Sequence, residues 1–339
     1  QYLLDLTRLH FSAWSFFSLS LLSRVLGLGL SVIAVIWFGW RIDGIMAMLA
    51  FSTLLILPLG VWLVRKDITK NFSLSWAKKL LKFGYPFIYA GIAFWIFGSM
   101  DRWMIASMIN LEETGVYSIS FRFVSIVLFV SIAFGNAWSP YAMKLRNDSP
   151  EIYREIYVHV LFILIFVMLI IGTIVALFSG ELIGLILPKQ YYGSAMPLTI
   201  LCFGMILQST TQVTAIGISI KKRTILFARI AWLSAIINLA LNYILIPIYG
   251  IDGAAWATTL SYLVLTTCYL IFSQQIHPLP IPWNKLLLML LIFCVLLLFS
   301  IFLNTTVLSI ELVVVKLLLV ALSVGFIWKF VFIDYFSLK

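Results

Sequence analysis

The chain has 339 residues, of which 63% are hydrophobic and 11% charged, with a net charge of +10. Soluble domains carry about 25% charged residues, and a globule of this length cannot hide so much apolar surface from water. Lipid must therefore solvate most of the chain, and that excludes a soluble enzyme. In lipid the backbone must satisfy itself, which leaves helices or closed barrels. A barrel would alternate apolar and polar residues in segments of about ten. This sequence instead runs apolar for about 20 residues at a time, the length of a spanning helix.

In chain order, spanning helices are expected over 14–39, 43–64, 83–107, 115–138, 158–178, 196–219, 224–246, 253–273, 285–304 and 311–332. The fold class is thus all-α, a polytopic membrane protein of about ten transmembrane helices. The longest polar link, Arg65 to Phe83, reads as an amphipathic surface segment. Lysine and arginine set the orientation. Threading these helices puts sixteen of them on the side of both chain ends, against Arg41 and Lys189 alone on the other side. Both ends are therefore expected in the cytoplasm, and the positive charge is a topology signal rather than a nucleic-acid footprint. The three cysteines, Cys202, Cys268 and Cys294, lie in apolar runs at spacings that fit no disulfide or metal pattern and read as small buried hydrophobes. His10, His159 and His277 form no metal or catalytic constellation, and no Asp-x-Asp or P-loop motif is present. No cofactor is expected. With no long outside loop to build a reaction site, transport is expected rather than an enzyme.

A short turn occurs twice. "WRIDGIMAM" (Trp40 to Met48) and "YGIDGAAWATTL" (Tyr249 to Leu260) each place Ile-Asp-Gly after one apolar run and before the next. Glycine permits the turn, and Asp43 or Asp252 is positioned to cap the following helix. Two equivalent hairpins in one orientation suggest a parallel repeat, as in two-lobed transporters.

Four further stretches carry a family resemblance. They are "FGYPFIYAGIAFWIFGSMDRWMIASMINLEETGVYSISFRF" from Phe83, "AWSPYAMKL" from Ala137, "LPKQYYGSAMPLTIL" from Leu187 and "INLALNYILIPIYGIDGAAWATTLSYL" from Ile237. Together they resemble the Wzx-type polysaccharide and O-antigen flippases of the multidrug/oligosaccharidyl-lipid/polysaccharide exporter superfamily. The resemblance implies a two-lobe transporter in which Pro140 ends the eighth family helix. It implies that 1–64 is a remnant of the first lobe, 65–82 a cytoplasmic linker, 83–273 a six-helix second lobe and 274–339 a C-terminal helix pair. By this mapping about four N-terminal helices of the family are absent from the chain.

The function implied is movement of a polyprenyl-diphosphate-linked oligosaccharide across the bacterial cytoplasmic membrane by alternating access. Its partners would be that lipid-linked oligosaccharide, the bilayer, a coupling proton or sodium ion, and polysaccharide polymerase and other envelope assembly proteins, with no nucleic acid. The alternatives are a multidrug or peptidoglycan-precursor exporter of the same superfamily and, from another class, a membrane glycosyltransferase or polymerase.

An anionic headgroup crossing lipid needs cations and donors. A charge at mid-membrane costs about 2.5–3.5 kcal/mol on insertion scales, so it should face a cavity or a partner. Arg24 shares a helix face with Ser20, Gly27 and Ser31, and Arg122 one with Ser118 and Ser125. Each could hold a phosphate or be satisfied structurally. Arg102 is a third candidate, and the neighbouring Asp101 could carry a coupling ion or hold a structural ion pair. Gln208 and Gln212, and Asn238 and Asn242, stand four residues apart on single faces. They could line a sugar path or bond between helices. Lys316 lies near an outside end of the terminal pair, where a transport role is least expected.

Overall fold

A computed structural model describes residues 13–65, 73–221, 223–307 and 309–333. Among them all regular structure is helical. Two compact units divide the chain, Gln1–Trp76 and Ala77–Lys339.

The first unit is a hairpin of α1 (Ala13–Phe38) and α2 (Ile42–Leu63). Gly39 ends α1 in the left-handed region, at φ 63°, and Trp40 N–H reaches back to Ala34 O at 3.1 Å. A glycine-terminated helix end has this geometry. The expected aspartate cap is not made. Arg41 is the N-cap of α2 and makes no side-chain cap bond, while Asp43 sits in the first turn, where the helix dipole favours an acid. Small residues form the seam: Ser31 Oγ donates to Gly27 O at 2.7 Å, and a Cβ on Gly27 would come within 3.0 Å of Ser52 Oγ. In lipid such close backbone approach supplies the packing energy that the hydrophobic effect cannot.

The second unit is a bundle. Its helices are α3 (Leu74–Met108, whose first residues precede the boundary), α4 (Leu111–Asp148), α5 (Tyr153–Leu177), the short α6 (Ser179–Ile186), α7 (Ala195–Thr214), the short α8 (Ile216–Ile220), α9 (Thr224–Ile276), α10 (Trp283–Phe302) and α11 (Ile310–Ile327). The central rod is α7, buried along almost its whole length and packed on α4, α5 and α9. Helix α3 starts nine residues earlier than the sequence suggests. Nothing in Leu74–Lys82 breaks a helix, so this part of the expected linker is its first turns; the linker's 66–72 lies outside the described residues. Pro140 does not end α4, which continues to Asp148. A proline within a helix removes one backbone donor without ending it when packing holds both flanking turns, and the turn after Pro140 is held by Tyr157 Oη, which donates to Ala142 O at 2.5 Å. Asn110 caps α4, its Oδ1 accepting from Glu113 N–H at 2.7 Å.

Helix α9 has 53 residues. As a straight rod it would be about 80 Å long, more than twice a bilayer core. It reverses at Gly250, where φ is 60° and ψ is −138°. The two arms pair antiparallel: Tyr269 Oη donates to Phe227 O at 3.4 Å and Asn238 Nδ2 to Thr258 Oγ1 at 3.4 Å, both pairs centred on position 248. Gly253 lies so close to Leu245 O that a Cβ there would collide with backbone. Both Ile-Asp-Gly sites are thus hairpin turns with a left-handed glycine just upstream. Nine helices among the described residues are long and apolar enough to cross a membrane; since α9 crosses twice, these nine make ten spans. Large apolar side chains such as Phe129, Ile248 and Leu298 are exposed, as lipid-facing positions should be. Cys202 is buried, but Cys294 is exposed on such a face. The chain is a multi-pass membrane protein.

The hairpin α10–α11 is fastened to the bundle at both ends. At one end Asn304 Nδ2 donates to Thr199 Oγ1 at 2.9 Å and to Ser179 Oγ at 3.3 Å, and the carbonyls of Thr305 and Thr306 lie against Gly180 and Gly184. Lys316, fully buried in α11, donates to Glu181 Oε1 in α6. At the other end Gln274 brackets the proline-rich link, donating to Leu279 O at 3.2 Å and accepting from Leu279 N–H at 2.8 Å.

Candidate functional site

Asp101 is a buried acid near the C-terminal end of α3, with no exposed surface. It lies on the face of α3 that also carries Phe97 and Ile105, and both are buried beside it. A carboxylate so placed needs donors. Tyr117 of α4 donates to Asp101 Oδ2 at 2.7 Å, and the N–H of Arg102 donates to Oδ1 at 2.8 Å. Thr258 reaches the Tyr117 phenol from the second arm of α9. Asn238 donates to Thr258, and Asn242 Nδ2 donates to Asn238 Oδ1 at 3.1 Å. Tyr262 stacks on Phe97 with ring centroids 5.2 Å apart and closes the cluster. Asn242 Oδ1 is buried without a partner. A polar chain therefore runs Asp101–Tyr117–Thr258–Asn238–Asn242 across α3, α4 and both arms of α9, and it contains no basic side chain.

The other sequence candidates stand elsewhere. Arg102 turns back along α3, where its guanidinium donates to Gly98 O and lies over the Phe121 ring at 5.2 Å. Gln212 lies tightly against Gly135 of α4, and Gln208 Oε1 is buried without a partner. Arg122 is exposed on α4, and only its backbone is engaged, by Ser125 Oγ at 2.5 Å. In the first unit Arg24 is exposed while Gly27 and Ser31, on its predicted face, are buried in the seam with α2. Among the described residues neither arginine side chain makes a hydrogen bond or an ion pair. Each stands eleven residues from the start of its helix, about 16 Å along the axis.

Structure thus joins Asp101, Asn238 and Asn242 in one cluster and leaves the three arginines and the glutamine pair outside it. Sequence reasoning missed Tyr117, Thr258 and Tyr262. The available signal was physical: a lone acid in an apolar run requires hydroxyl donors nearby, and Tyr117 lies just across the short α3–α4 link. An apolar cavity of about 150 Å³ between α5, α7, α9 and α10, lined by residues such as Leu161, Ile206, Leu263 and Phe293, gives a charged group no foothold.

The sequence profile of the family described as "Polysaccharide biosynthesis protein" matches residues 7–196. A "probable low-salt glycan biosynthesis flippase Agl15" of Haloferax volcanii is 27% identical over 203 residues, 59% of this chain. The match spans 43% of that relative's length. Among solved structures, a lipid II flippase MurJ in an inward closed conformation superposes with a TM-score of 0.65 at 15% identity, over 93% of this chain and 68% of that one. A mutant of the Vibrio cholerae MATE transporter VcmN gives 0.65 at 14% identity, over 81% and 65%. These likenesses show the fold, that of polytopic helical transporters.

Proposed function

Because this chain belongs to the polysaccharide biosynthesis protein family, we propose that it takes part in flipping a polyprenyl-diphosphate-linked oligosaccharide across the cytoplasmic membrane, with both of its ends on the cytoplasmic side. The observation that carries this reading is the pair Arg24 and Arg122, exposed near mid-span in apolar helices with no partner of their own. Such charges are costly in lipid unless something meets them, and a diphosphate is met well by guanidinium forks. The two lobes rock to open the path to one leaflet and then the other, while the lipid tail stays in the bilayer. Arg102, Gln208 and Gln212 are secondary contacts for the cargo, whose transfer feeds a polymerase and the other envelope assembly proteins.

Asp101 is the coupling group. Its hydrogen bonds come from neutral donors, and Thr258, Asn238 and Asn242 continue the polar chain beyond Tyr117, so a proton or a sodium ion can take the place a basic side chain would otherwise fill.

The test is the lipid-linked oligosaccharide pool in cells deleted for the intact gene. Accumulation at the cytoplasmic leaflet is expected, cured by the wild-type gene but poorly by Arg24→Ala or Arg122→Ala. No accumulation overturns the flippase reading. A full cure by both variants overturns only the role given to the arginines.

A further inference from the structure

On the lysine- and arginine-rich side of the bundle, four helix ends meet around one imidazole. His277, just beyond α9, is 3% exposed. Its Nε2 lies 2.8 Å from the Tyr153 hydroxyl, and Arg154 Nε donates to that same oxygen at 3.3 Å. With the phenol donating to Nε2, the neutral ring carries its proton on Nδ1. That N–H is buried with no partner, and so is Ser273 Oγ one turn earlier. The two are neighbours, because Gly217 packs against both Ser273 Oγ and His277 Cβ. Residue Lys221 follows Gly217 by one turn. The strongest charges acting on the imidazole are all cations: Arg154, Arg146 and Lys221. Among the described residues none of these three forms an ion pair with a carboxylate. The acids on the adjoining link, Asp148 and Glu151, are exposed.

Topology accounts for cations on this side, and helix C-termini attract them. Neither accounts for two buried donors left empty beneath them, since buried polar groups are almost always bonded. A place with three cations, two orphan donors and no paired acceptor is built for an anion.

We infer that Arg146, Arg154 and Lys221, with Ser273 Oγ and His277 Nδ1 as its floor, form a binding site for the phosphate group of a lipid headgroup at the membrane surface. The inference is independent of the transport reading, since the phosphate can belong to a phospholipid of the leaflet or to a polyprenyl diphosphate. Basic pockets between helix ends are a recognised way of holding such groups.

Native mass spectrometry of the purified full chain decides it, with phosphatidylglycerol, polyprenyl diphosphate or zwitterionic phosphatidylcholine added in turn. Wild type should retain one or both anionic lipids, and R146Q/R154Q/K221Q should lose roughly tenfold or more of that retention while phosphatidylcholine adducts stay unchanged. Preference for phosphatidylglycerol would identify a leaflet-lipid site, and preference for polyprenyl diphosphate a cargo-recognition site. Ser273→Ala removes a floor donor without changing charge, so it serves if the triple variant does not fold; it too should weaken retention. Equal retention by wild type and a folded variant, or parallel loss of phosphatidylcholine, overturns the site.

Discussion

Among the described residues of the bundle two carboxylates, Asp101 and Glu181, are buried, and their surroundings differ in kind. Glu181, near one membrane face, has a lysine: Lys316 comes from a helix 135 positions away and is itself fully buried. Asp101, near the C-terminal end of α3, has a phenol, a backbone N–H, and amides and a hydroxyl beyond them. A charge matched by a fixed opposite charge serves as a fastener. A charge whose hydrogen bonds come only from neutral dipoles can still take a proton or a cation. The difference separates a structural acid from an acid free to do work, although both lie in helices of one unit.

The largest expected effect breaks the fastener. Lys316→Met strands Glu181 without its counter-charge and should cost about 3–5 kcal/mol of stability, while E181L/K316M should regain most of the loss. A double-mutant cycle on unfolding in detergent micelles measures this. If the single and double variants are equally unstable, the pair is not what holds α11.

At Asp101, Tyr117→Phe removes the hydroxyl donor and should cost about 1–3 kcal/mol. Asp101→Asn should leave the unfolding curve within about 1 kcal/mol yet stop glycan export in the complementation assay. If Asp101→Asn unfolds the bundle, Asp101 is a fastener too and the contrast with Glu181 fails.

Smaller still is Asn304→Ala, which removes the bonds to Thr199 and Ser179 and should cost about 1–2 kcal/mol. Hydrogen exchange should then rise along Ile310–Ile327 and stay unchanged in α4.

A third buried group sharpens the contrast at the bottom of the scale. Burial, and then Arg154 with Arg146 and Lys221, hold the His277 pKa below its ordinary 6.5. The unfolded chain therefore takes up a proton before the folded one does. Stability is full above about pH 6.5 and declines as pH falls towards the folded pKa. Thermal unfolding at pH 7.5 and 5.5 should show this decline, and His277→Gln should flatten it. A bound phosphate would oppose the decline by compensating the new charge.

Much of this architecture can be read from the order of residues. The ten spans follow from apolar length, and Asp101 stands out as an acid inside one of them. The Asn238 and Asn242 spacing places both on one helix face. Where the reading stopped, a local pattern carried contrary information. Lys78, Lys79 and Lys82 look like a polar link, yet they are helix formers, and α3 runs through them from Leu74. Pro140 looks like a terminator, but packing against the neighbouring α5, with Tyr157 bonded to Ala142 O, carries α4 on to Asp148. Tyr117 and Thr258 carry no mark of their own in an apolar run, because only the neighbour across the interface makes a hydroxyl significant. The Glu181–Lys316 pair was out of reach for the same reason.

The fastening of α10–α11 bears on motion. The bracket of Gln274 holds the link at one membrane face, and Asn304 with Lys316 holds the other, while Phe293 packs edge-on against Phe203 of the central rod at 5.1 Å. A hairpin secured at both ends is a passenger: it travels with the bundle and gates nothing by itself. Spin labels on α10 and α5 should therefore keep one fixed separation throughout a transport cycle, which makes that pair the internal ruler against which any genuine opening can be measured.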